Sequence, residues 1–221
     1  MEEETLSRSQ VEKGVVLLVV FVVLRAVIMA IPGFGQELEA NLQSLLFLLV
    51  AFLIGSVGIV YLGFAKWVGI DLGRWWQFSR KRIAGDVGWG VLGFFVGFIL
   101  MVTVLLPFAF LAWAMGLPLS PSVTVSPIGF LLNLVFGFAI AGFQEETIFR
   151  GFLQSVLMER FGRWQANGVQ AVVFSLAHIG YYPLTEWPLF ISAFVSGLVF
   201  GWLRVKRGTL VAPWIAHGLI G

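Results

Sequence analysis

Long runs of hydrophobic residues alternate with short polar links along the whole chain. Because a membrane-spanning helix needs about 20 apolar residues, each run is a candidate span. The runs predict helices at residues 14–31, 45–70, 87–115, 128–146 with a helical extension, 168–180, 188–203 and 210–221. The fifth and the last are shorter than a full span, which fits helices packed inside a bundle. The pattern therefore predicts an all-α polytopic membrane protein with a bundle of seven or eight transmembrane helices. No repeat or linker divides the chain, so residues 1–221 are predicted to form a single membrane domain.

Composition supports this class of protein. Of the 221 residues, 59% are hydrophobic and only 12% are charged, against about 25% charged in soluble domains. There is no cysteine, which excludes disulfides, thiol nucleophiles and cysteine-ligated zinc. The net charge of +2 is explained by topology, so nucleic acid is not expected as a partner.

Positive charge is found in alternate links. Lysine and arginine are present at the N-terminus, at 71–86, at 160–163 and at 204–207, and are absent from 32–44, 117–127 and 181–187. Since basic residues accumulate on the cytoplasmic side of a membrane, seven spans with a cytoplasmic N-terminus satisfy every link.

A polar cluster follows directly on the fourth apolar run, in the sequence Gln144-Glu145-Glu146-Thr147-Ile148-Phe149-Arg150. Ionisable groups inside a membrane are costly unless they have partners or a function. Residues four apart share a helix face, so Glu146 and Arg150 are predicted to form an ion pair. Glu145 points about 100° away from Glu146 and needs another partner. The alternative is that both acids are solvated at the cytoplasmic boundary.

One further charge, Arg25, interrupts the first span between Leu24 and Ala26. Its side chain either snorkels to the membrane surface or pairs with an internal carboxylate. The sequence leaves both possibilities open.

The two histidines of the chain, His178 and His217, both lie in predicted apolar helices. A single such histidine is more often a packing residue, but two of them together with buried acids indicate a site. At about 1.5 Å per residue, His178, His217 and Glu145 fall at similar depths in the cytoplasmic half of their helices. We therefore expect them to meet around a water-filled cavity open to the cytoplasm.

A carboxylate and a histidine beside a water suit general-base attack on a carbonyl group. A second histidine can donate to the developing oxyanion. Zinc is the alternative, because Glu145, His178 and His217 form a known type of catalytic ligand set. Without a cysteine or a third histidine, a mechanism without metal or other cofactor is favoured. The chain has no HExxH and no Gly-x-Ser-Gly motif.

These residues resemble the CAAX protease and bacteriocin-processing enzyme family, also called CPBP or Abi. Its EExxxR motif is similar to the segment from Glu145 to Arg150, and its FxxxH motif to the segment from Phe174 to His178. The resemblance covers about residues 129–221. The third motif, HxxxN, is present only in its first half, because Gly221 stands four residues after His217 where the family has asparagine.

The resemblance implies an intramembrane peptidase in which Glu145 and His178 activate water and His217 helps to bind the oxyanion. Glu146 and Arg150 would support them. The family has also been described as metalloproteases, which keeps the zinc alternative open.

The function expected from the sequence is therefore hydrolysis of a peptide bond near the cytoplasmic leaflet. The partners would be a peptide or protein substrate, with or without a lipid group, and membrane lipid. The main alternative is a non-catalytic scaffold or bacteriocin-immunity-type binding protein, which the missing asparagine motivates. A transporter is disfavoured, since no paired broken helices are apparent in two matching halves.

Overall fold

The computed structural model describes residues 5–31, 41–116, 126–180, 182 and 187–220. Within them the chain forms eight helices and no strand. The helices are α1 (Arg8–Met29), α2 (Leu42–Val68), α3 (Leu72–Trp76), α4 (Ile83–Ala114), α5 (Pro127–Phe161), α6 (Arg163–Leu176), α7 (Trp187–Arg207) and α8 (Val211–Ile220). Each of the seven predicted hydrophobic runs contains a helix, and α3 lies in the basic link after the second. The predicted all-α polytopic membrane fold is confirmed.

Four of these helices, α2, α4, α5 and α7, are long and apolar enough to cross a membrane by length and composition. The helix α8 is apolar but shorter. The protein is therefore an integral membrane protein. Most of the predicted links at 32–44, 117–127 and 181–187 lie outside the described residues, as does Gly221.

Polar side chains at the helix starts explain where several helices begin. Ser7 accepts from the backbone of Gln10, and the Gln10 side chain accepts from the Ser7 backbone, which forms a capping box at α1. At α5 the Ser126 side chain accepts from the backbone N–H of Gly129, and Pro127 follows at the first helical position. Proline suits that position, because its missing N–H would have had no helical partner.

The core is organised around α5. Its residues Ile148, Phe149 and Phe152 are completely buried. They pack in one cluster with Leu17 and Phe21 of α1 and with further residues of α2, α6 and α7. The polar cluster of α5 is therefore surrounded by a buried apolar core.

Close approach of α6 and α7 depends on glycine. A Cβ atom added to Gly201 would lie 1.9 Å from Oδ1 of Asn167. Two side-chain amides form hydrogen bonds between these helices. Asn167 donates to the carbonyl of Leu198 at 3.0 Å, and Gln170 donates to the carbonyl of Gly197 at 2.8 Å. Such small-residue contacts and interhelical hydrogen bonds are the usual means by which helices associate in membranes.

The helix α8 returns to α5 and brings His217 to the two glutamates. A Cβ atom on Gly218 would lie 2.3 Å from the ring of Phe138, and Trp214 donates from Nε1 to the carbonyl of Phe138 at 2.7 Å. The helix α4 packs against α8 and α7 and exposes many large apolar side chains on its outer face, including Phe95 and Phe110. Lipid is the solvent that suits such a surface.

Candidate active site

The polar cluster of α5 is buried and is not solvated at a boundary. Glu145 is 3% exposed, and Glu146 and Arg150 are fully buried. The backbone around them alternates between α-helical turns at Phe143–Glu145 and wider π-helical turns on either side. Wider turns of this kind within a helix are frequent at functional sites.

The predicted ion pair between Glu146 and Arg150 is present, with Oε1 and Nη1 3.0 Å apart. The guanidinium carbon of Arg150 lies 4.1 Å from the ring centre of Phe174 and 5.0 Å from that of Phe200. Arg150 is thus held by a carboxylate and by two aromatic faces, each of which attracts a cation. Arg150 therefore fixes the position of Glu146.

Glu145 finds its partner on another helix. Nη1 of Arg25, on α1, lies 2.7 Å from Oε1 of Glu145, and the Arg25 side chain is only 14% exposed. Of the two sequence interpretations of Arg25, pairing with an internal carboxylate is the one observed. The charge in mid-span was a visible signal, but the sequence did not identify which carboxylate it meets.

His217 contacts both glutamates. Its approach to Glu145 was predicted, but its contact with Glu146 was not. Its Nδ1 lies 2.7 Å from Oε1 of Glu146, and its Nε2 lies 3.8 Å from Oε2 of Glu145. Because a carboxylate can only accept, Nδ1 carries the proton in this hydrogen bond. In a neutral ring the lone pair would then be on Nε2, the nitrogen that faces Glu145. The stacked ring of Phe200, 4.9 Å away, keeps this orientation.

His178 lies just beyond the end of α6, so its predicted place within the helix is wrong. The helix ends at Leu176, and the chain then turns towards Gly180, whose φ is +90°. The last carbonyls of a helix lack helical partners, and Nδ1 of His178 donates to one of them, the carbonyl of Phe174, at 2.7 Å. Neutral His178 thus also has its lone pair on Nε2.

The structure brings the predicted site residues together around Phe174. The ring centre of Phe174 is 4.9 Å from that of His178 and 6.0 Å from that of His217. Both histidines and Arg25 are within electrostatic reach of the Glu145 carboxylate. Oε2 of Glu145 is buried and has no hydrogen bond within the described part of the chain. It is therefore the oxygen positioned to accept a proton.

A cleft between α1, α2 and α5 leads to Glu145. Its cavity volume is about 50 Å³. Neither His178 nor His217 is among its lining residues, so the predicted cavity shared by Glu145 and both histidines is not observed in the described part of the chain. Its polar lining residues are Arg25, Gln144 and Glu145, and the remainder of the lining is apolar or glycine. Gln144 donates from Nε2 to the carbonyl of Ala51 and to Oγ of Ser56, at 3.0 Å each, and so joins α5 to α2. A polar residue beside Glu145 in an apolar run was a signal for this role, which the sequence interpretation left unused.

The alternative zinc ligand set does not match this arrangement. Among the described residues, no three histidine, aspartate or glutamate side chains are close enough to hold a metal ion. Oε1 of Glu145 lies 2.7 Å from the Arg25 guanidinium, and Nδ1 of His217 is hydrogen-bonded to Glu146. A guanidinium in contact with the would-be ligand opposes a dication at the same place.

Comparison with known proteins finds a family match in the C-terminal part of the chain. Residues 127–221 match the family described as Type II CAAX prenyl endopeptidase Rce1-like. A protein of Escherichia coli described as an uncharacterized 24.3 kDa protein is 29% identical over 111 residues, which is 47% of this chain and 50% of that relative. The chain thus spans about half the length of the curated relative it matches. No solved structure matches the chain. The resemblance inferred from the motifs is confirmed for residues 127–221.

Proposed function

Since residues 127–221 are Rce1-like, we propose that the protein is a CAAX-protease-like intramembrane endopeptidase in which Glu145 is the general base. The observation that carries this proposal is the position of Glu145. Its carboxylate is buried between Arg25 and His217 and lines the apolar cleft. A base at the end of an apolar cleft is suited to a hydrophobic peptide segment that enters from the membrane.

In the proposed reaction, Oε2 of Glu145 takes a proton from a water molecule while the water oxygen attacks the scissile carbonyl carbon. Nε2 of His178 accepts a hydrogen bond from the same water, because Nδ1 of that ring already donates to Phe174. Glu145 then returns the proton to the leaving amine. General acid–base catalysis of this type contributes about 10²- to 10⁴-fold to a rate.

Glu146, Arg150 and His217 act together in this proposal. Glu146 accepts from Arg150 and from Nδ1 of His217, so it fixes the orientation and tautomer of the imidazole. His217 contributes to binding of the oxyanion in its doubly protonated form, in which Nε2 becomes a donor.

The proposed substrate is a peptide or protein with an apolar segment or lipid group, cut near the cytoplasmic leaflet, with the N-terminus of the enzyme in the cytoplasm. Support comes from the apolar lining of the cleft and from the alternation of basic links. Because the chain has no cysteine, single-cysteine variants at Ser79 and Ser122 test the orientation cleanly. We expect an impermeant maleimide to label Ser79→Cys from the cytoplasm and Ser122→Cys from outside, and reversed labelling would overturn the assignment.

A second candidate function, a non-catalytic scaffold or immunity-type binding protein, is favoured by Gly221 in place of the family's asparagine. The two functions differ in their dependence on Glu145. A scaffold would keep its cellular phenotype in Glu145→Gln and His178→Ala variants, whereas a peptidase would lose it.

The experiment that tests the proposed function compares membrane peptides from cells carrying wild-type protein with those from cells carrying Glu145→Gln. Peptides that accumulate uncut only with the variant identify substrates, which are then incubated with purified protein in liposomes. We expect cleavage by wild type alone. Identical peptide patterns together with no cleavage in vitro would favour the scaffold.

A further inference from the structure

Arg25 stands apart from the other charged residues of the site. It belongs to α1, outside the stretch 127–221 that matches the known family. Its guanidinium contacts Oε1 of Glu145 at 2.7 Å and also lines the cleft from which a substrate would approach. An arginine in the apolar part of a helix is costly and marks function by default. Its placement at both the base and the cleft suggests more than a structural ion pair.

The two histidines cannot supply a hydrogen bond to an oxyanion while they are neutral. Nδ1 of His217 donates to Glu146, and Nδ1 of His178 donates to the carbonyl of Phe174. Each neutral ring therefore directs a lone pair, and no proton, from its Nε2 atom. Arginine, in contrast, carries five N–H donors and stays charged at every physiological pH.

We propose that Arg25 is a catalytic residue that binds the carbonyl oxygen of the scissile peptide bond and stabilises the negative charge that develops there. This inference rests on the proposed peptidase function. The guanidinium keeps its ion pair with Oε1 of Glu145 and contacts the substrate oxygen from the cleft side. The guanidinium of Arg25 thereby contacts both the base and the polarised carbonyl oxygen.

The reaction balances without proton transfer by Arg25. The water oxygen forms a bond to the carbonyl carbon, its proton moves to Oε2 of Glu145, and the π pair of the carbonyl moves to the oxygen beside Arg25. When the tetrahedral intermediate collapses, that pair re-forms the carbonyl, the carbon–nitrogen bond breaks, and the proton on Glu145 moves to the amine. The guanidinium remains charged throughout.

A donor aimed at the oxyanion acts mainly in the transition state. Removing such a donor lowers kcat by about 10²- to 10³-fold. Because an interaction made only in the transition state lowers kcat and kcat/KM equally, KM should change little. A purely structural arginine would instead alter folding or substrate binding.

The test uses the purified full chain in liposomes and a substrate identified from the membrane-peptide comparison. Arg25→Gln keeps a donor for Glu145 without the charge, Arg25→Lys keeps the charge, and Arg25→Met removes both. The matched control is Arg8→Met on the same helix, because Arg8 forms an exposed pair with Glu12 and is 94% exposed itself. Each variant is checked for folding by size-exclusion chromatography and thermal unfolding.

We expect kcat to fall by about 10²-fold or more in Arg25→Met and Arg25→Gln, with recovery of part of the rate in Arg25→Lys. The affinity for a phosphinate analogue of the substrate, which carries the negative oxygen of the intermediate, should fall by the same factor as kcat/KM. Arg8→Met should resemble wild type. If Arg25→Met does not fold, the same comparison is made with Arg25→Gln.

A folded Arg25→Gln enzyme with kcat and phosphinate affinity within about threefold of wild type would overturn the proposal. Equal losses of substrate and phosphinate affinity would also overturn it, since they indicate a binding or structural role. Failure of the proposed function would give a different result. Wild-type protein would then cleave no peptide that the Glu145→Gln protein leaves uncut.

Discussion

Replacing Arg150 by methionine should destabilise the protein far more than its position on one helix suggests. The side chains of Arg150 and Glu146 are both fully buried and lie 3.0 Å apart. Methionine has a similar length but no charge, so Glu146 would remain buried with its hydrogen bond to Nδ1 of His217 but without its ion pair. Breaking a buried ion pair from one side costs about 3–5 kcal/mol. Loss of the contacts with the rings of Phe174 and Phe200 acts in the same direction.

The second variant needed is Glu146→Gln, alone and combined with Arg150→Met. The double variant no longer contains an unpaired buried carboxylate, so it should be more stable than the sum of the single losses by about 1–3 kcal/mol. The assay is reversible unfolding in mild detergent, followed by tryptophan fluorescence. Arg160→Met, at the exposed end of the same helix, serves as the control and should change stability by less than about 0.5 kcal/mol.

The reasoning would be refuted if Arg150→Met lost less than about 1 kcal/mol, which is the range of an exposed ion pair. Strict additivity in the double variant would also contradict it. Either result would mean that Glu146 is not confined with Arg150 in the interior.

Two further predictions concern packing and metal. Gly201→Ala should lower the midpoint of thermal unfolding, because the added Cβ would lie 1.9 Å from Oδ1 of Asn167. The matched control is Gly168→Ala, where nothing lies within 4 Å of the added Cβ. Equal midpoints for the two variants would contradict the close contact of α6 and α7. Treatment with a zinc chelator should leave the rate of hydrolysis unchanged, since Arg25 contacts Glu145, one of the alternative zinc ligands. Stoichiometric zinc in the purified protein, with activity lost to a chelator and restored by zinc, would establish the zinc mechanism instead.

The local features of this protein could be predicted from its sequence. Hydrophobic runs of sufficient length gave the helices, because a membrane selects for continuous apolar segments. The ion pair between Glu146 and Arg150 followed from helical spacing alone. Both features depend on residues that are close in the chain, where geometry is fixed by the helix itself.

Contacts between distant segments could not be predicted. Arg25 and Glu145 belong to different helices, and the sequence contained more than one buried carboxylate that could have met this arginine. Likewise, His217 was expected beside Glu145, but its shortest contact is with Glu146. Such pairings depend on how α1, α5 and α8 rotate about their axes, which hydropathy does not specify.

The end of α6 was missed for a local reason. The spacing of Gln170, Phe174 and His178 by four continues a helical pattern, yet the helix stops at Leu176. Nδ1 of His178 then replaces a backbone donor at the carbonyl of Phe174. A side chain that caps a helix from beyond its end has the same spacing as one within it, so periodicity could not distinguish them.

The most direct test of the central claim is the rate at which purified Glu145→Gln hydrolyses a reporter peptide cut by wild-type protein in liposomes. Glutamine keeps the size of the side chain but cannot take a proton from water. We predict a loss of about 10²- to 10⁴-fold in kcat, while Glu12→Gln, whose partner Arg8 is exposed, hydrolyses the peptide at the wild-type rate. A Glu145→Gln protein that cleaves within about threefold of wild type would contradict the assignment of Glu145 as the base.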